Sequence, residues 1–516
     1  MPTSVWSLFA KETVEPPKEE KQMTMEQSIG ASSLRLTDWQ LIDWAKVRQD
    51  VRRLQLRIAK AIRAGKHGRA RALQWLLTHS RSAKLLAVKR VTGNKGANTP
   101  GVDNVRWRTD KQKYRATQNL KRRGYRPQPL RRHYIPKKNG KMRPLSIPTL
   151  HDRAMQALHG LGLVPIAETL ADRNSYGFRE GRSCADAIGQ CFCALAKSYA
   201  PVWVLEGDIK ACFDRISHPW LLKNIPMDKR TLRGWLQAGY WEKGQLFPTE
   251  LGTPQGGCIS PLLANLTLDG MEQAIRSRIR LRRDQVNFIR FADDFVVTAR
   301  TREILEQIAK PAVVDFLAPR GLELSEQKTT ITHIETGFNF LGQNVRKYKN
   351  KLVIKPAKDG TKALVEKTRD CIKSMVGHPA QRLIAKLNPI IRGWANYHRH
   401  ICAAKTYRVV DRIVYHQLLK WARRTHPKKG PGWLKRKYFS LAGPGVFAIR
   451  QRDSSGESCV MKLYRISRTI IERHIKVRGE ANPYDPNYTE YFEKRRCFAW
   501  RVLPLGRTGK SSTKTV

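Results

Sequence analysis

The stretch Ile289-Arg290-Phe291-Ala292-Asp293-Asp294-Phe295-Val296-Val297 decides the fold, because it places two adjacent acids between two apolar runs. Residues alternate between apolar and polar before the acids, and a continuous apolar run follows them, which predicts two β-strands joined by a tight acidic turn. Upstream, the stretch Val202-Trp203-Val204-Leu205-Glu206-Gly207-Asp208-Ile209 predicts another strand that ends on a carboxylate. We therefore expect acids from distant parts of the chain to meet at one sheet end.

Carboxylates that lie close together need a proton or a cation to offset their mutual repulsion. At a separation of a few ångströms they repel each other by about 4 kcal/mol at an effective dielectric constant of about 20. Such groups share a proton or bind hard cations such as Mg²⁺. Two of these ions roughly 4 Å apart would stabilise the attacking and the leaving oxygen of a phosphoryl transfer. The acids therefore predict a divalent-metal site.

The charge of the chain predicts nucleic acid as its partner. Its 516 residues include 97 Lys and Arg against 43 Asp and Glu, a formal net charge of +54 spread over most of the length. A field of this size favours a polyanion and makes binding depend strongly on salt. An ordinary solvated surface explains short clusters of Lys and Arg, but it does not explain so large an excess of basic over acidic residues.

Neither a membrane nor a zinc site is predicted. No apolar run approaches the length of a membrane span, and the N-terminus lacks a secretory signal, so we expect no membrane association. The nine cysteines form no C-x-x-C pair. They are therefore interpreted as reduced thiols of a cytoplasmic protein.

Basic side chains gather on a predicted hairpin and on predicted helices. Asn139-Gly140 lies between extended segments within 134–148, and Lys137, Lys141 and Arg143 lie at or near its tip, where they suit a triphosphate or a nucleic-acid strand. Val51, Leu54, Ile58 and Ile62 mark one face of a basic helix that Gly65 and Gly68 interrupt. After Lys355, apolar residues recur at helical spacing and predict a basic helical bundle.

Several motifs occur in a specific order. They are Gly207-Asp208-Ile209-Lys210-Ala211-Cys212-Phe213-Asp214, then Gly252-Thr253-Pro254-Gln255-Gly256-Gly257, then Phe291-Ala292-Asp293-Asp294, then Leu324-Ser325-Glu326-Gln327-Lys328, and last Leu387-Asn388-Pro389-Ile390-Ile391-Arg392-Gly393-Trp394. Together they resemble the bacterial group II intron-encoded reverse transcriptases and maturases, above all the cyanobacterial branch. The resemblance covers about Trp39 to Arg496.

The resemblance implies an α+β fold, a right-hand polymerase followed by an α-helical thumb or maturase domain. Its palm would be an antiparallel sheet with helices on one face. The expected regions are a disordered tail (1–35), a basic helical N-terminal extension (36–105), fingers and palm (106–345), a helical thumb (346–450), a basic DNA-binding-like module (451–496) and a tail without an endonuclease domain (497–516). Similar proteins often continue into an HNH endonuclease. Because only the tail 497–516 follows the DNA-binding-like module here, this chain is expected not to cut DNA by that route.

The resemblance also assigns roles to individual residues. Catalysis is assigned to Asp208, Asp293 and Asp294, and binding of two Mg²⁺ ions to Asp208, Ile209 and Asp293. Binding of the deoxynucleoside triphosphate is assigned to Phe213, Gln255, Arg143, Lys137, Lys141 and Lys328. Binding of RNA is assigned to Arg52, Arg53, Arg57, Arg408, Arg412, Arg423 and Arg424. The ring of Phe213 would exclude a ribose 2′-hydroxyl, and Phe291 stands where Tyr is commonest in the family.

The implied function is RNA-directed DNA synthesis combined with assistance to intron splicing. The expected partners are the intron RNA, an RNA template with a DNA primer, deoxynucleoside triphosphates and target DNA, in a cytoplasmic, nucleoid-associated bacterial protein. Two alternatives remain open at this point. One is a splicing maturase with little polymerase activity, and the other is a related reverse transcriptase recruited to host DNA repair or defence.

Overall fold

The computed structural model describes residues 39–136, 140, 142–279, 284–452 and 456–501. The expected N-terminal tail (1–35), the two lysines Lys137 and Lys141, and residues 502–516 of the expected C-terminal tail lie outside the described residues. Within the described ranges, no helix combines the length and the apolar character needed to cross a membrane.

Helices and strands both contribute extensively to the described chain. The strands are β1 (Leu130–Pro136), β2 (Met142–Ile147), β3 (Trp203–Asp208), β4 (Tyr240–Glu242), β5 (Gln245–Phe247), β6 (Asn287–Phe291), β7 (Asp294–Ala299), β8 (Thr330–His333), β9 (Phe338–Phe340), β10 (Gln343–Tyr348), β11 (Lys351–Pro356), β12 (Ala448–Arg452) and β13 (Ser458–Lys462). The helices are α1 (Trp44–Arg63), α2 (His67–His79), α3 (Arg81–Thr92), α4 (Asp110–Asn119), α5 (Leu150–Leu170), α6 (Cys184–Leu195), α7 (Cys212–Arg215), α8 (His218–Asn224), α9 (Lys229–Leu236), α10 (Ser260–Leu268), α11 (Met271–Arg276), α12 (Lys310–Leu317), α13 (Lys358–Lys373), α14 (Ala380–His398), α15 (Ala404–Thr425), α16 (Pro431–Phe439) and α17 (Thr489–Arg501).

The N-terminal region is helical, as its periodicity predicts. The side chain of Asp43 accepts hydrogen bonds from the first turn of α1, and the helix ends just before Gly65, which has a φ of +67°. Such a conformation favours glycine and stops the helix. Gly68, by contrast, lies inside α2 and interrupts nothing. The apolar face of α1 packs into the same core as α5.

The predicted palm is a four-stranded antiparallel sheet in the order β6-β7-β3-β8. Alternate residues of its central strands enter two different cores. Leu205 and Val297 belong to a core shared with α1, α5 and α10, whereas Val204 and Val296 belong to a core shared with α6 and the thumb helices. The expectation of helices on one face only was therefore wrong, because both faces of this sheet are apolar and both are covered.

The strands on either side of residues 137–141 pair as the sequence predicts. Strands β1 and β2 are antiparallel, and the register closes at the pair Pro136 and Met142. A short parallel contact joins β1 to β4, which gives a second sheet in the order β2-β1-β4-β5. This sheet lies within the region expected to form the fingers and palm (106–345).

The expected boundaries after residues 345 and 450 do not coincide with breaks in the structure. The first falls inside β10, which pairs with both β9 and β11, and the second falls inside β12. A boundary there would separate hydrogen-bonded strands. The first helix after β11 is α13. Helices α13 to α16 then form the predicted bundle around buried residues of one core.

The segment after β13 returns to the palm and to the N-terminal helices. Its anchor is Asp186 of α6, whose side chain is fully buried. One carboxylate oxygen, Oδ1, accepts hydrogen bonds from His474 Nε2 at 2.9 Å, Val477 N at 2.6 Å and Arg495 Nη2 at 3.0 Å. Burial alone would raise the pKa of this carboxyl, but the hydrogen bond from His474 and further donors lower it to about 2.

Replacing this anchor should loosen the C-terminal segment. We expect Asp186→Asn to lower the free energy of unfolding by about 2 kcal/mol, because hydrogen bonds to a charged acceptor are lost. Limited proteolysis should then cut within 463–488 more rapidly. Ser183→Ala is the matched control, because Ser183 Oγ caps α6 by accepting from Asp186 N and donates to Asp186 Oδ2, whereas the returning segment donates to Oδ1. An unchanged rate of proteolysis in Asp186→Asn would show that the segment is held elsewhere.

Candidate active site

The acidic turn lies between two paired strands. Because Phe291 pairs with Asp294, only Ala292 and Asp293 form the turn between β6 and β7. Ala292 has a φ of +58°, the left-handed conformation that two-residue hairpin turns require. On the other side of β7, strand β3 places Asp208 directly opposite Asp294. The structure therefore brings the three predicted aspartates together at one end of the sheet.

The charges of this cluster are only partly balanced. Lys328 Nζ donates to Asp208 Oδ2 at 2.8 Å, and this hydrogen bond raises the pKa of the lysine. Desolvation raises the pKa of Asp293. Desolvation, followed by the neighbouring carboxylates Asp293 and Asp208, raises the pKa of Asp294 to about 6, although this side chain is still partly open to solvent. The cluster thus carries more negative charge than its surroundings easily stabilise.

The donor chemistry of the cluster fits a hard divalent cation. Its atoms are carboxylate oxygens, which Mg²⁺ prefers, and a bound cation would oppose the repulsion that raises these pKa values. Ile209 has a buried apolar side chain, so only its main-chain oxygen suits a metal. Within the described ranges, no three His, Cys, Asp or Glu side chains are already arranged as a metal site.

Two of the residues predicted to bind the nucleotide, Phe213 and Gln255, lie on segments that are joined to each other after the end of β3. Gln255 Nε2 donates to both carboxylate oxygens of Asp214 at 3.0 Å, and the Gln255 carbonyl accepts from Ser146 N at 2.7 Å. Thr253 N donates to the Phe213 carbonyl at 2.6 Å. These bonds fix the segment after β3 against the 252–257 loop and against β2. Phe213 remains half-buried beside the end of β3.

Arg143 completes this side of the site. It is exposed on β2, and its charge is close enough to oppose the rise in the pKa of Asp293 that burial causes. Arg143 and Lys328 therefore face the acids from different elements. Lys137 and Lys141, the two weaker predictions on the hairpin, lie outside the described residues.

The residues predicted to bind RNA are not gathered at one place. They occupy α1 and α15, which belong to different cores. Arg53 and Arg57 are exposed, as are the four predicted arginines of α15. Arg52 instead lies over the Tyr484 ring, with its guanidinium carbon 4.4 Å from the centroid, and donates to the Pro483 carbonyl. Its observed contacts are thus within the protein.

Arg290 is a residue that the sequence reasoning missed. Its side chain is fully buried, donates to Asp269, and donates at 3.2 Å to both Asn265 Oδ1 and the Ala292 carbonyl. The guanidinium therefore holds the acidic turn in place through its hydrogen bond to the Ala292 carbonyl. An arginine at a buried position of a strand pattern was the available signal, since such a charge needs an acidic partner.

Comparison with known proteins agrees with the geometry. The family model for "Reverse transcriptase (RNA-dependent DNA polymerase)" matches residues 135–345. The model for the N-terminal domain of reverse transcriptase matches 39–120, and that for the group II intron maturase-specific domain matches 361–439. In chain order, the three matches cover the N-terminal helices, the region that contains β2 to β9, and the helical bundle.

Individual curated proteins are also similar to this chain. Protein YkfC of Escherichia coli K12 is 34% identical over 304 residues, which cover 51% of this chain and 80% of YkfC. The group II intron-encoded protein LtrA of Lactococcus lactis subsp. cremoris is 31% identical over 329 residues, 51% of this chain and 54% of LtrA. The chain thus spans about half the length of LtrA. Taken with the site and the three matched regions, these relatives show that the chain belongs to the family of group II intron-encoded reverse transcriptases and maturases.

Proposed function

We propose that the protein is an RNA-directed DNA polymerase that also binds the RNA of a group II intron and assists its splicing. One observation carries the proposal: Asp208, Asp293 and Asp294 converge at the end of an antiparallel sheet, within the region matched by the reverse transcriptase family. Arg143 and Lys328 face these acids with the positive charge that a triphosphate requires.

In the proposed reaction, a primer 3′-hydroxyl attacks the α-phosphate of a deoxynucleoside triphosphate and releases pyrophosphate. Arg143 and Lys328 bind the triphosphate, and Gln255 lies at the templating base pair, held in place by Asp214. The ring of Phe213 excludes a ribose 2′-hydroxyl, which supports a DNA product. The chemistry that these residues supply is mainly positioning and charge stabilisation, as in other phosphoryl transfers.

Two Mg²⁺ ions are part of this proposal. Asp208, Asp293 and the main-chain oxygen of Ile209 would hold them, with Asp294 completing the acidic cluster. When bound, they would favour ionisation of the primer hydroxyl and neutralise the leaving phosphates. The oxygen donors and the raised pKa of Asp294 support this assignment.

The proposed RNA partner is the intron that encodes the protein. The match to the maturase-specific domain covers most of α13 and all of α14 to α16, and exposed arginines line α15. Arg53, Arg57, Arg408, Arg412, Arg423 and Arg424 are the proposed phosphate contacts. The net charge of +54 supports binding of target DNA as well, and with it an association with the nucleoid.

Primer extension tests the proposal directly. We expect the protein to incorporate dTTP, but not UTP, on a poly(rA) template annealed to an oligo(dT) primer with Mg²⁺, and to stop when EDTA is added. The measurement is the length of the labelled primer on a denaturing gel. Absence of extension with intact binding of intron RNA would instead favour a maturase without polymerase activity.

A further inference from the structure

Phe178 combines two unusual properties. Its side chain is 60% exposed, and its φ is +57°, a backbone conformation that a bulky residue rarely adopts. Strained residues of this kind persist where the surrounding structure imposes the conformation, often at functional sites. An exposed aromatic ring on a strained backbone therefore calls for a role beyond packing.

The neighbouring residues place Phe178 beside the acidic turn. Asn174 to Gly177 run parallel to β6 along its free edge, with Arg290 N donating to the Asn174 carbonyl and Tyr176 N donating to the Arg290 carbonyl, both at 2.9 Å. Gly177 lies so close to the turn that a Cβ added to it would be 2.4 Å from Ala292 N. Gly177 therefore lies against Ala292 in the turn, and Phe178 is the residue that follows it in the chain.

The residues on either side of Phe178 are firmly held. The Gly177 carbonyl accepts from Asn265 Nδ2 at 2.8 Å. Arg179 is buried and donates to the Glu168 carboxylate at 2.8 Å, and to the carbonyls of Asp172 and Ser175. These contacts over-determine the backbone at Phe178. The ring is thus presented to solvent by a rigid loop.

Phe178 lies on the opposite side of the turn from the residues proposed for nucleotide binding. Asp208, Phe213 and Gln255 lie on the β3 side, whereas the 174–177 segment borders β6 at the other edge of the sheet. If the nucleotide binds on the β3 side, the primer that is being extended would lie on the β6 side. An aromatic ring there offers a surface for packing against sugars or bases.

We propose that Phe178 contacts the growing end of the primer–template duplex and holds it beside Asp293. The inference rests on the proposed polymerase function and assigns one residue of its duplex-binding surface. Phe178 is a positioning residue in this role, because the acids and not the ring act on the reacting atoms.

The test compares the affinity of the full-length protein for two nucleic acids by fluorescence anisotropy. One probe is a poly(rA) template annealed to oligo(dT), and the other is single-stranded poly(rA) alone. We expect Phe178→Ala to weaken binding of the annealed probe about tenfold, within the range found when a stacking aromatic is removed. Binding of the single-stranded probe should not change. Phe178→Tyr should retain the wild-type affinity for both.

Phe178→Gly separates a binding role from a structural one. Glycine adopts the positive φ without strain, so the melting temperature should stay the same or rise while duplex affinity falls as in Phe178→Ala. Phe192→Ala, which removes a 43% exposed phenylalanine from α6, is the matched control and should not affect duplex binding. Unchanged duplex affinity in Phe178→Ala, an equal loss for both probes, or a lower melting temperature in Phe178→Gly would each overturn the proposal. Because these readouts measure binding and stability, failure of wild-type primer extension would refute the proposed activity alone.

Discussion

Asp293→Ala is expected to reduce the rate of primer extension by about 10³-fold or more. Removing a carboxylate that holds a catalytic cation costs several kcal/mol of transition-state stabilisation, and each 1.4 kcal/mol corresponds to about a factor of ten. Asp293 is the acid at the tip of the turn between β6 and β7, with Asp208 and Asp294 beside it. Extension of a labelled primer under single-turnover conditions measures the loss.

The fold should tolerate this substitution. Desolvation raises the pKa of Asp293, and the nearby charge of Asp208 raises it further, so its removal relieves repulsion. We therefore expect an unchanged or higher melting temperature and intact binding of intron RNA. Addition of Mg²⁺ should raise the melting temperature of the wild type but not that of Asp293→Ala.

A control for charge alone is Asp315→Ala, which removes an exposed acid of α12 that pairs with Arg278. It should leave primer extension unchanged. Parallel loss of RNA binding and extension in Asp293→Ala would mean that the acids have a structural role. That outcome would contradict the proposed catalytic assignment.

Local patterns in the sequence predicted the parts of the site that depend on neighbouring residues. The turn at Asp293 follows from two apolar runs around adjacent acids, and the hairpin closed by Pro136 and Met142 follows from Asn139-Gly140. Carboxylates at the ends of predicted strands indicated that Asp208 and the acidic turn would meet, but strand pairing across 86 residues has no local signal and only the structure gives its register. The continuous apolar run Val202 to Leu205 is compatible with burial of both faces of β3, but the resemblance implied helices on one face only.

The features that the sequence pattern did not predict depend on contacts between distant segments of the chain. Asp186 joins residues almost 300 positions later in the chain, and its capping role in α6 gave no hint of them. The 174–177 segment follows β6 through main-chain hydrogen bonds, which depend little on side-chain type. Phe178 could not be distinguished from a core phenylalanine until its exposure and its φ were known.

Arg290→Met is expected to lower the free energy of unfolding by about 3–5 kcal/mol. The arginine is fully buried and paired with Asp269, which is 2% exposed, so its removal leaves a buried carboxylate without its cation. The same substitution deprives the Ala292 carbonyl of a donor at 3.2 Å. Urea unfolding measures the first effect. Primer extension below the unfolding range measures the second, where a misplaced turn could cost about 10²-fold.

The double variant Arg290→Met/Asp269→Leu separates the two effects. Replacing both members of a buried ion pair by apolar residues of similar size is often neutral, so most of the stability should return. Extension should remain low, because the Ala292 carbonyl still lacks its donor and Asp293 follows it directly in the turn. If the double variant recovers stability and extension together, Arg290 serves only the folding of the palm. If it recovers stability alone, Arg290 also positions the catalytic turn.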